Sequence, residues 1–489
     1  MLHLIDHPIW QADDLGKPIP DSPHAVSVCL PTWRDNIGYE ELDPRVHDKM
    51  TTGYPRFVFN QFCQQLFDEA ERQFAQPEER CLVFPNQSAA QRCAKSLNHS
   101  TGSKPSVNNL NSNNAHAVCF GAEFFDLAKQ YWQHTGEGIS SRQAEACLAG
   151  NTGSDGKDAI AKLKQNLASL YAVSSADVFL FSCGMSSLLT LHRAFNELLP
   201  GRKSVQFGFP YVDTLKLQEK FGSGVHFLTR GNQADIDQLA ELLKAESING
   251  IYTEFPSNPL LLSPDLSKLK TLAVQNDFPI IVDDTIATVV NANLLGSADV
   301  ICTSLTKFFS GIGDVTGGCL ILNPASRFHA SLKQSLQSDA DLLWGEDAIV
   351  LEHNSKGFSE RVLQINSKAE ALANFLQQHP AIETVYYPKY QQRELYDKFR
   401  TSNGGYGGLM SILVKDPENR AAEVYDRLRV CKGPNLGMNY TLACPFTILA
   451  HYQELDFAES CGVSRWLIRL SVGMEESDDL IGRFEEALR

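Results

Sequence analysis

The chain has no CxxC pair, no histidine cluster at metal-ligand spacing and no internal repeat. It also has no apolar run near the roughly 20 residues that a membrane span requires. Its 12 cysteines are scattered singly, which excludes a disulfide framework or a zinc site and makes them reduced, packed thiols. The start, MLHLIDHPIWQADDLG, lacks a basic flank, and Asp6 interrupts its apolar stretch, so it does not read as a secretory signal. A basic excess is missing too. With 43 Lys+Arg against 58 Asp+Glu the formal net charge is -15, which argues against broad contact with nucleic acid or an anionic membrane. One small basic pocket for a phosphorylated ligand remains compatible with that total. The expectation is a soluble, cytoplasmic protein with no metal, acting on small molecules.

What is present is ordinary globular composition, 43% hydrophobic and 21% charged, over 489 residues. At roughly 150 residues per domain, that length suggests about three units. The segment NHSTGSKPSVNNLNSNNAH, residues 98–116, has no apolar periodicity and predicts a mobile loop. Beyond residue 155 helix-like and strand-like segments alternate. KDAIAKLKQNLASLYA and GMSSLLTLHRAFNELL have helical spacing, the second with Met185, Leu188, Leu189, Leu191, Phe195 and Leu198 on its apolar face. DVFLFSC, KSVQFGF, VHFLT, INGIYTEF, FPIIVDD, ADVICTSL and GGCLILN read as short strands, and Ser263 followed by Pro264 as a helix start. This βαβ rhythm predicts a mostly parallel sheet covered by helices, an α/β fold with ligands at the carboxyl ends of the strands. From residue 358 the pattern is less regular and predicts a smaller α+β domain.

Four of those strand ends carry unusual polar residues. Cys183, Gly184 and Met185 form a turn opening a helix, where bare N–H groups suit a phosphate or the glycine simply makes the turn. In EFPSNP, Asn258 lies between two prolines. In PIIVDDT, Asp283 and Asp284 end an apolar strand, an arrangement able to bind a metal, cap a helix or pair with a cationic ring nitrogen. In TSLTKFFSGIGD, Lys307 follows Ser304 and Thr306 with no Walker glycine spacing before it, so it is a phosphate counter-charge or a nucleophilic amine. One ligand with an aldehyde, a phosphate and a ring nitrogen accounts for all four ends, and that ligand is pyridoxal phosphate.

These spaced motifs, EFPSNP, VDDT and SLTK in that order, resemble the Cys/Met-metabolism family of PLP-dependent enzymes from about residue 138 to the end. GGYGGLMSILV and WLIRLSVGMEESDDLIGRFEEAL resemble family segments as well, while IPDSPHAVSVCLPTW and MTTGYPRF are similar to its long-chain, fungal-type cystathionine γ-synthases. The resemblance implies an aspartate-aminotransferase-like large domain with a mostly parallel seven-stranded sheet over 138–357. It implies a small C-terminal domain over 358–489, and residues 1–137 stand apart as an extension without an assigned role.

By the same resemblance Lys307 is the lysine joined to the cofactor and Asp283, matching the first residue of a DNT pattern, pairs with the pyridine nitrogen. Gly184, Met185, Ser304 and Thr306 hold the phosphate, Tyr211 stacks on the ring and Asn258 bonds its phenolic oxygen. Arg469 grips the substrate α-carboxylate, with Asn435 beside it where many relatives have serine. Arg142 matches the arginine of a YxR motif that reaches a neighbouring subunit's phosphate, which implies a homodimer or homotetramer with shared sites; Ser140 takes the tyrosine's place. The implied activity is γ-replacement of O-acyl-homoserine by cysteine, with Lys307 as anchor and shuttle base. The alternatives are O-acylhomoserine sulfhydrylation, elimination from cystathionine or methionine, and a PLP-fold protein kept for regulation. His192 reads as a packed histidine and Arg465 as a surface charge.

Overall fold

Seven runs of four or five residues pair into one sheet: β4 (Val178–Phe181), β5 (Ser204–Phe207), β6 (Val225–Leu228), β7 (Gly250–Glu254), β8 (Ile280–Asp283), β9 (Val300–Ser304) and β10 (Gly318–Leu322). The structure is a computed structural model that describes residues 2–337 and 342–489. The order is β4-β10-β9-β8-β7-β5-β6, and only β10 runs against its neighbours. The central strands are mostly apolar up to their carboxyl ends because helices cover both faces, so both sets of alternating side chains are buried. Parallel pairing places the ends of β5, β7, β8 and β9 on one edge, where chemistry collects.

Helix α5 (Lys157–Tyr171) covers one face, and α6 (Gly184–Leu198) covers the other. On α6, Met185, Leu188, Leu189, Leu191 and Phe195 are buried as expected, but Leu198 in the last turn is 36% exposed. His192 on the same helix is fully buried against Tyr252. Helix α7 (Val212–Lys220) follows β5, and α8 (Leu266–Asn276) follows β7. The start of α8 differs from the expectation at Ser263: Asp265 is the cap, accepting from the Lys268 N–H at 3.2 Å, and Ser263 is buried instead. Aspartate caps a helix as well as serine does and here lies directly before it.

Beyond α9 (Phe358–Gln378) a second sheet runs β11-β12-β15-β14-β13, from β11 (Ile382–Tyr386), β12 (Leu409–Val414), β13 (Cys431–Lys432), β14 (Leu442–Pro445) and β15 (Ile468–Ser471). This is the smaller α+β domain, and its core is continuous with that of the large sheet.

The N-terminal part has a core of its own. Helices α1 (Gln61–Phe74), α2 (Gln87–Thr101), α3 (Phe125–Thr135) and α4 (Ser141–Leu148) pack with an antiparallel sheet of order β1-β3-β2, formed by β1 (Glu79–Phe84), β2 (Ser106–Asn109) and β3 (His116–Gly121). Its buried centre includes Phe67, Phe84, Phe120 and Trp132. The segment expected to be a mobile loop is therefore the end of α2, an edge strand and a turn. Asn111, Asn113 and Asn114 all adopt positive φ in that turn, a region asparagine tolerates. Strand β2 carries no apolar alternation because it lies at a partly exposed sheet edge. Residues 2–60 run first across the small domain, where the Leu30 N–H donates to Lys432 O at 3.0 Å and Trp33 stacks on Trp466.

Candidate active site

The strand ends enclose a cavity of about 140 Å³, and the residues foreseen for it line it, except Arg142 and Asn435. Gly184 and Met185 open α6, whose first N–H groups have no intrahelical acceptor. Ser304 closes β9 opposite them; a Cβ on Gly184 would lie 3.1 Å from Ser304 Cβ, so glycine permits this approach. Thr306 also lines the cavity, although its hydroxyl accepts from the Gly317 N–H at 3.1 Å.

Asp283 and Asp284 separate because successive residues of a strand point to opposite sides. Asp283 faces the cavity and accepts from the Thr285 N–H at 2.9 Å. Asp284 faces away, accepting from the hydroxyls of Tyr171 at 2.7 Å and of Thr303. Burial raises the pKa of both carboxyls, that of Asp284 to about 7 against the opposing hydroxyl bonds. Among the described residues Asp283 has no cationic partner, so its carboxylate is free to hold a proton on a ring nitrogen.

Lys307 is buried, and its Nζ donates to Asn435 Oδ1 at 2.5 Å and to the Tyr54 hydroxyl at 3.1 Å. Burial lowers its pKa, Tyr54 opposes that, and the charges of Arg469 and Arg56 add to the lowering. Burial alone would raise the Tyr54 phenol, but Lys307 and Arg56 outweigh it and the net shift is down. The amine and the phenol are thus hydrogen-bonded to each other in the cavity, each shifted down by its surroundings.

Arg469, on β15, is 5% exposed and is not within ion-pair distance of any carboxylate among the described residues. It donates to Pro434 O at 2.8 Å, Asn435 O at 3.2 Å and Asn258 Oδ1 at 3.4 Å. A buried, unneutralised guanidinium facing a cavity suits a carboxylate ligand. The Asn258 and Tyr211 N–H groups both donate to the Glu254 carboxyl, at 2.9 and 2.6 Å. Burial and then Asp283 push Glu254 up to about 8.

Arg142 lies elsewhere. It pairs with Asp347 at 3.3 Å and Asp314 at 3.6 Å and lines an adjoining cavity of about 60 Å³, while Ser140 caps α4. This chain's own cavity holds Arg56, bonded to the Tyr211 hydroxyl and paired with Asp213, with its guanidinium 4.9 Å from the Tyr211 ring centroid. Tyr54, Pro55 and Arg56 themselves read YxR. Tyr54, Arg56, Glu254 and Thr285 are among the polar cavity residues that the sequence reading did not assign. For the first two the signal was the tyrosine–arginine spacing inside MTTGYPRF; Glu254 is the first residue of EFPSNP and Thr285 the last of VDDT, both motifs already noted. Arg465, by contrast, is a surface charge paired with Glu459 and Asp456.

The set fits pyridoxal phosphate by its chemistry. It offers a buried amine, a carboxylate for the ring nitrogen, an aromatic face at Tyr211, and helix N–H groups with Arg56 and Ser304 for an anion. Residues 156–489 match the Cys/Met metabolism PLP-dependent enzymes, and residues 62–140 match the N-terminal domain of fungal trans-sulfuration enzymes. The chain is 35% identical to a cystathionine γ-synthase of Neurospora crassa, over 97% of this chain and 98% of that one. It is 31% identical to a cystathionine γ-synthase of Saccharomyces cerevisiae, over 97% and 98%. The crystal structure of cystathionine γ-synthase from Xanthomonas oryzae pv. oryzae superposes with a TM-score of 0.61 at 22% identity, covering 68% of this chain and 86% of that one.

Proposed function

The chain belongs to the Cys/Met-metabolism family of PLP-dependent enzymes, and on that premise we propose that it catalyses γ-replacement on an O-acyl-homoserine. The Cγ–O bond of the ester breaks, the acyl group leaves as a carboxylate, and the thiolate of cysteine forms a new Cγ–S bond, giving cystathionine. Bound pyridoxal phosphate supplies an electron sink for the carbon that loses its proton.

The chain's own residues do the rest. Arg469 binds the substrate α-carboxylate and Asn435 orients Lys307 beside it. Lys307 Nζ takes the Cα proton and delivers protons along the substrate, with the Tyr54 hydroxyl as its partner. Asp283 keeps the ring nitrogen protonated. Tyr211 covers the ring, Asn258 bonds its oxygen, and Gly184, Met185, Ser304, Thr306 and Arg56 hold the phosphate.

The observation that carries this reading is the meeting, in one cavity, of the Lys307 amine with a buried guanidinium that has no carboxylate of its own among the described residues. The chain divides, in this proposal, into a leading segment, the module of residues 61–148, a cofactor domain to residue 357 and the small domain. The cytoplasm is the proposed location; the twelve unpaired thiols agree with a reducing compartment. No helix among the described residues is long and apolar enough to cross a membrane.

Incubation of the PLP-loaded protein with O-acyl-homoserine and either cysteine or sulfide, with product identification, tests the proposal. Cystathionine from cysteine is expected. Turnover with sulfide alone, or release of a 2-oxo acid and ammonia without a thiol, would replace it with sulfhydrylation or elimination.

A further inference from the structure

We propose that Glu254 is a positioning residue for the cofactor: its two carboxyl oxygens hold the backbones of Tyr211 and Asn258 in one fixed relation, and so set where the ring-stacking face and the ring-oxygen donor lie. The inference rests on the contact roles proposed above for Tyr211 and Asn258, and it holds whichever family reaction the cavity performs.

Glu254 ends β7 and is 7% exposed. Its oxygens are divided between two turns that leave different strands. Oε1 accepts from the Tyr211 N–H at 2.6 Å, in the connection from β5 to α7. Oε2 accepts from the Asn258 N–H at 2.9 Å, in the turn that follows β7 itself. Both turns contain proline, Pro210 before Tyr211 and Pro256 and Pro259 around Asn258, and proline has no N–H with which to fix a turn. Helix α7 also starts without a side-chain cap. The far side of the Asn258 turn is closed separately, by the Ser257 N–H donating to Leu262 O at 2.9 Å. One side chain therefore ties two turns together, and the side chains of Tyr211 and Asn258 line the cavity beside it. Asn258 Oδ1 accepts from Arg469 at 3.4 Å, which leaves its NH₂ group to donate to a ligand.

The residue type is part of the argument. A carboxyl accepts at both oxygens whether or not it carries a proton, whereas an amide offers one acceptor and would turn an NH₂ toward the other N–H. The place is an unfavourable one for such a group. Glu254 stands opposite Asp283 in the β7–β8 register, so two carboxyls lie side by side at the cavity. Burial, and then Asp283, push its pKa up to about 8 against the two N–H bonds. A shorter or neutral side chain would avoid that desolvation and would lose the second acceptor.

Titration of the full-length protein with PLP, followed by absorbance and by visible circular dichroism of the bound cofactor, tests this. Glu254→Gln is expected to weaken PLP binding about tenfold, as loss of one buried acceptor implies, and to reduce the dichroism. Tyr211→Ala/Asn258→Ala, which removes the two contacts directly, is expected to do at least as much. Adding Glu254→Gln to that pair is expected to change the PLP dissociation constant by less than about twofold, because the glutamate acts only through those two residues. A glutamate with a merely structural role would weaken binding by the same factor in both backgrounds, and that result overturns the proposal.

Wild-type PLP affinity in Glu254→Gln, with affinity lost in Tyr211→Ala/Asn258→Ala, would overturn the clamp alone. Wild-type affinity in Tyr211→Ala/Asn258→Ala would overturn the contact roles and the clamp with them, so the two failures are distinguishable. Thermal melts of the cofactor-free variants check folding. If Glu254→Gln gives no cooperative transition, Glu254→Asp, with both oxygens on a shorter arm, replaces it in the same cycle, and an additive loss there overturns the proposal in the same way.

Discussion

The Lys307 amine lies 3.1 Å from the Tyr54 hydroxyl and 4.4 Å from the centroid of its ring, although 253 residues separate the two in the chain. A hydrogen bond and a cation–π contact to the same side chain fix the amine at one point of the cavity. Replacing Tyr54 by Phe keeps the ring and removes the bond. We expect kcat to fall about 100- to 10,000-fold with little change in KM, measured by steady-state kinetics, because general acid–base partners contribute on that scale. An unchanged kcat would remove Tyr54 from proton transfer.

Asp283 and Asp284 are neighbours with opposite duties. Asp283→Asn is expected to leave the melting temperature of the cofactor-free protein nearly unchanged while lowering kcat at least about 100-fold, through loss of the ring-nitrogen proton. Asp284→Asn leaves Tyr171 or Thr303 without its acceptor and is expected to cost about 1–3 kcal/mol of stability by denaturant titration. The reverse pattern would mean the two roles have been exchanged.

Arg56 and Arg142 separate in the same way. Arg56→Ala is expected to weaken PLP retention on dialysis by about tenfold or more, since it takes a buried charge from the end of the cavity proposed to hold the phosphate. Arg142→Ala leaves Asp347 buried without its cation and is expected to destabilise the fold by about 1–3 kcal/mol with cofactor retention intact. Equal loss of cofactor in both variants would contradict the placement of Arg142 outside the site.

Arg469→Lys keeps the charge and loses the two-pronged geometry. An increase in KM for the amino-acid substrate of about 10- to 100-fold is expected, with a smaller change in kcat. A KM within error of wild type would show that the α-carboxylate binds elsewhere.

The buried acids set a pH dependence for the cofactor-free chain. Glu254 is pushed by burial and Asp283 from 4.5 to about 8, and Asp284 by burial from 3.8 to about 7. Between the unfolded and folded values the folded chain holds protons that the unfolded chain has released, so stability falls as pH rises through roughly 4 to 8. The slope is at most about 1.4 kcal/mol per pH unit for each group. Melting temperatures recorded from pH 5 to 9 are expected to decline, and to decline less in Glu254→Gln. A stability that rises across this window would contradict these protonation states.

Much of this was legible in the chain itself. Seven short apolar runs separated by helical periodicity lead to a mostly parallel sheet, because strands buried on both faces need apolar residues at every position. Polar residues at four strand ends then mark the cavity, since parallel pairing gathers those ends on one edge. Local rules failed where the neighbourhood was non-local. The 98–116 stretch looks like a loop because an exposed edge strand carries no apolar alternation, yet its asparagines build the turn between β2 and β3. The YxR spacing was sought around Ser140 and Arg142, next to the cofactor domain in sequence, and lies instead at Tyr54 and Arg56.

By itself, then, the sequence determined the fold class and the cofactor and singled out Lys307, because each depends on residue types at strand ends within one local pattern. The tertiary structure alone decided which aspartate faces the cavity, which arginine of this chain reaches it and where Tyr54 lies. Those outcomes depend on which way a strand points its alternate side chains and on how a module many residues away docks, and both follow from packing between distant parts of the chain.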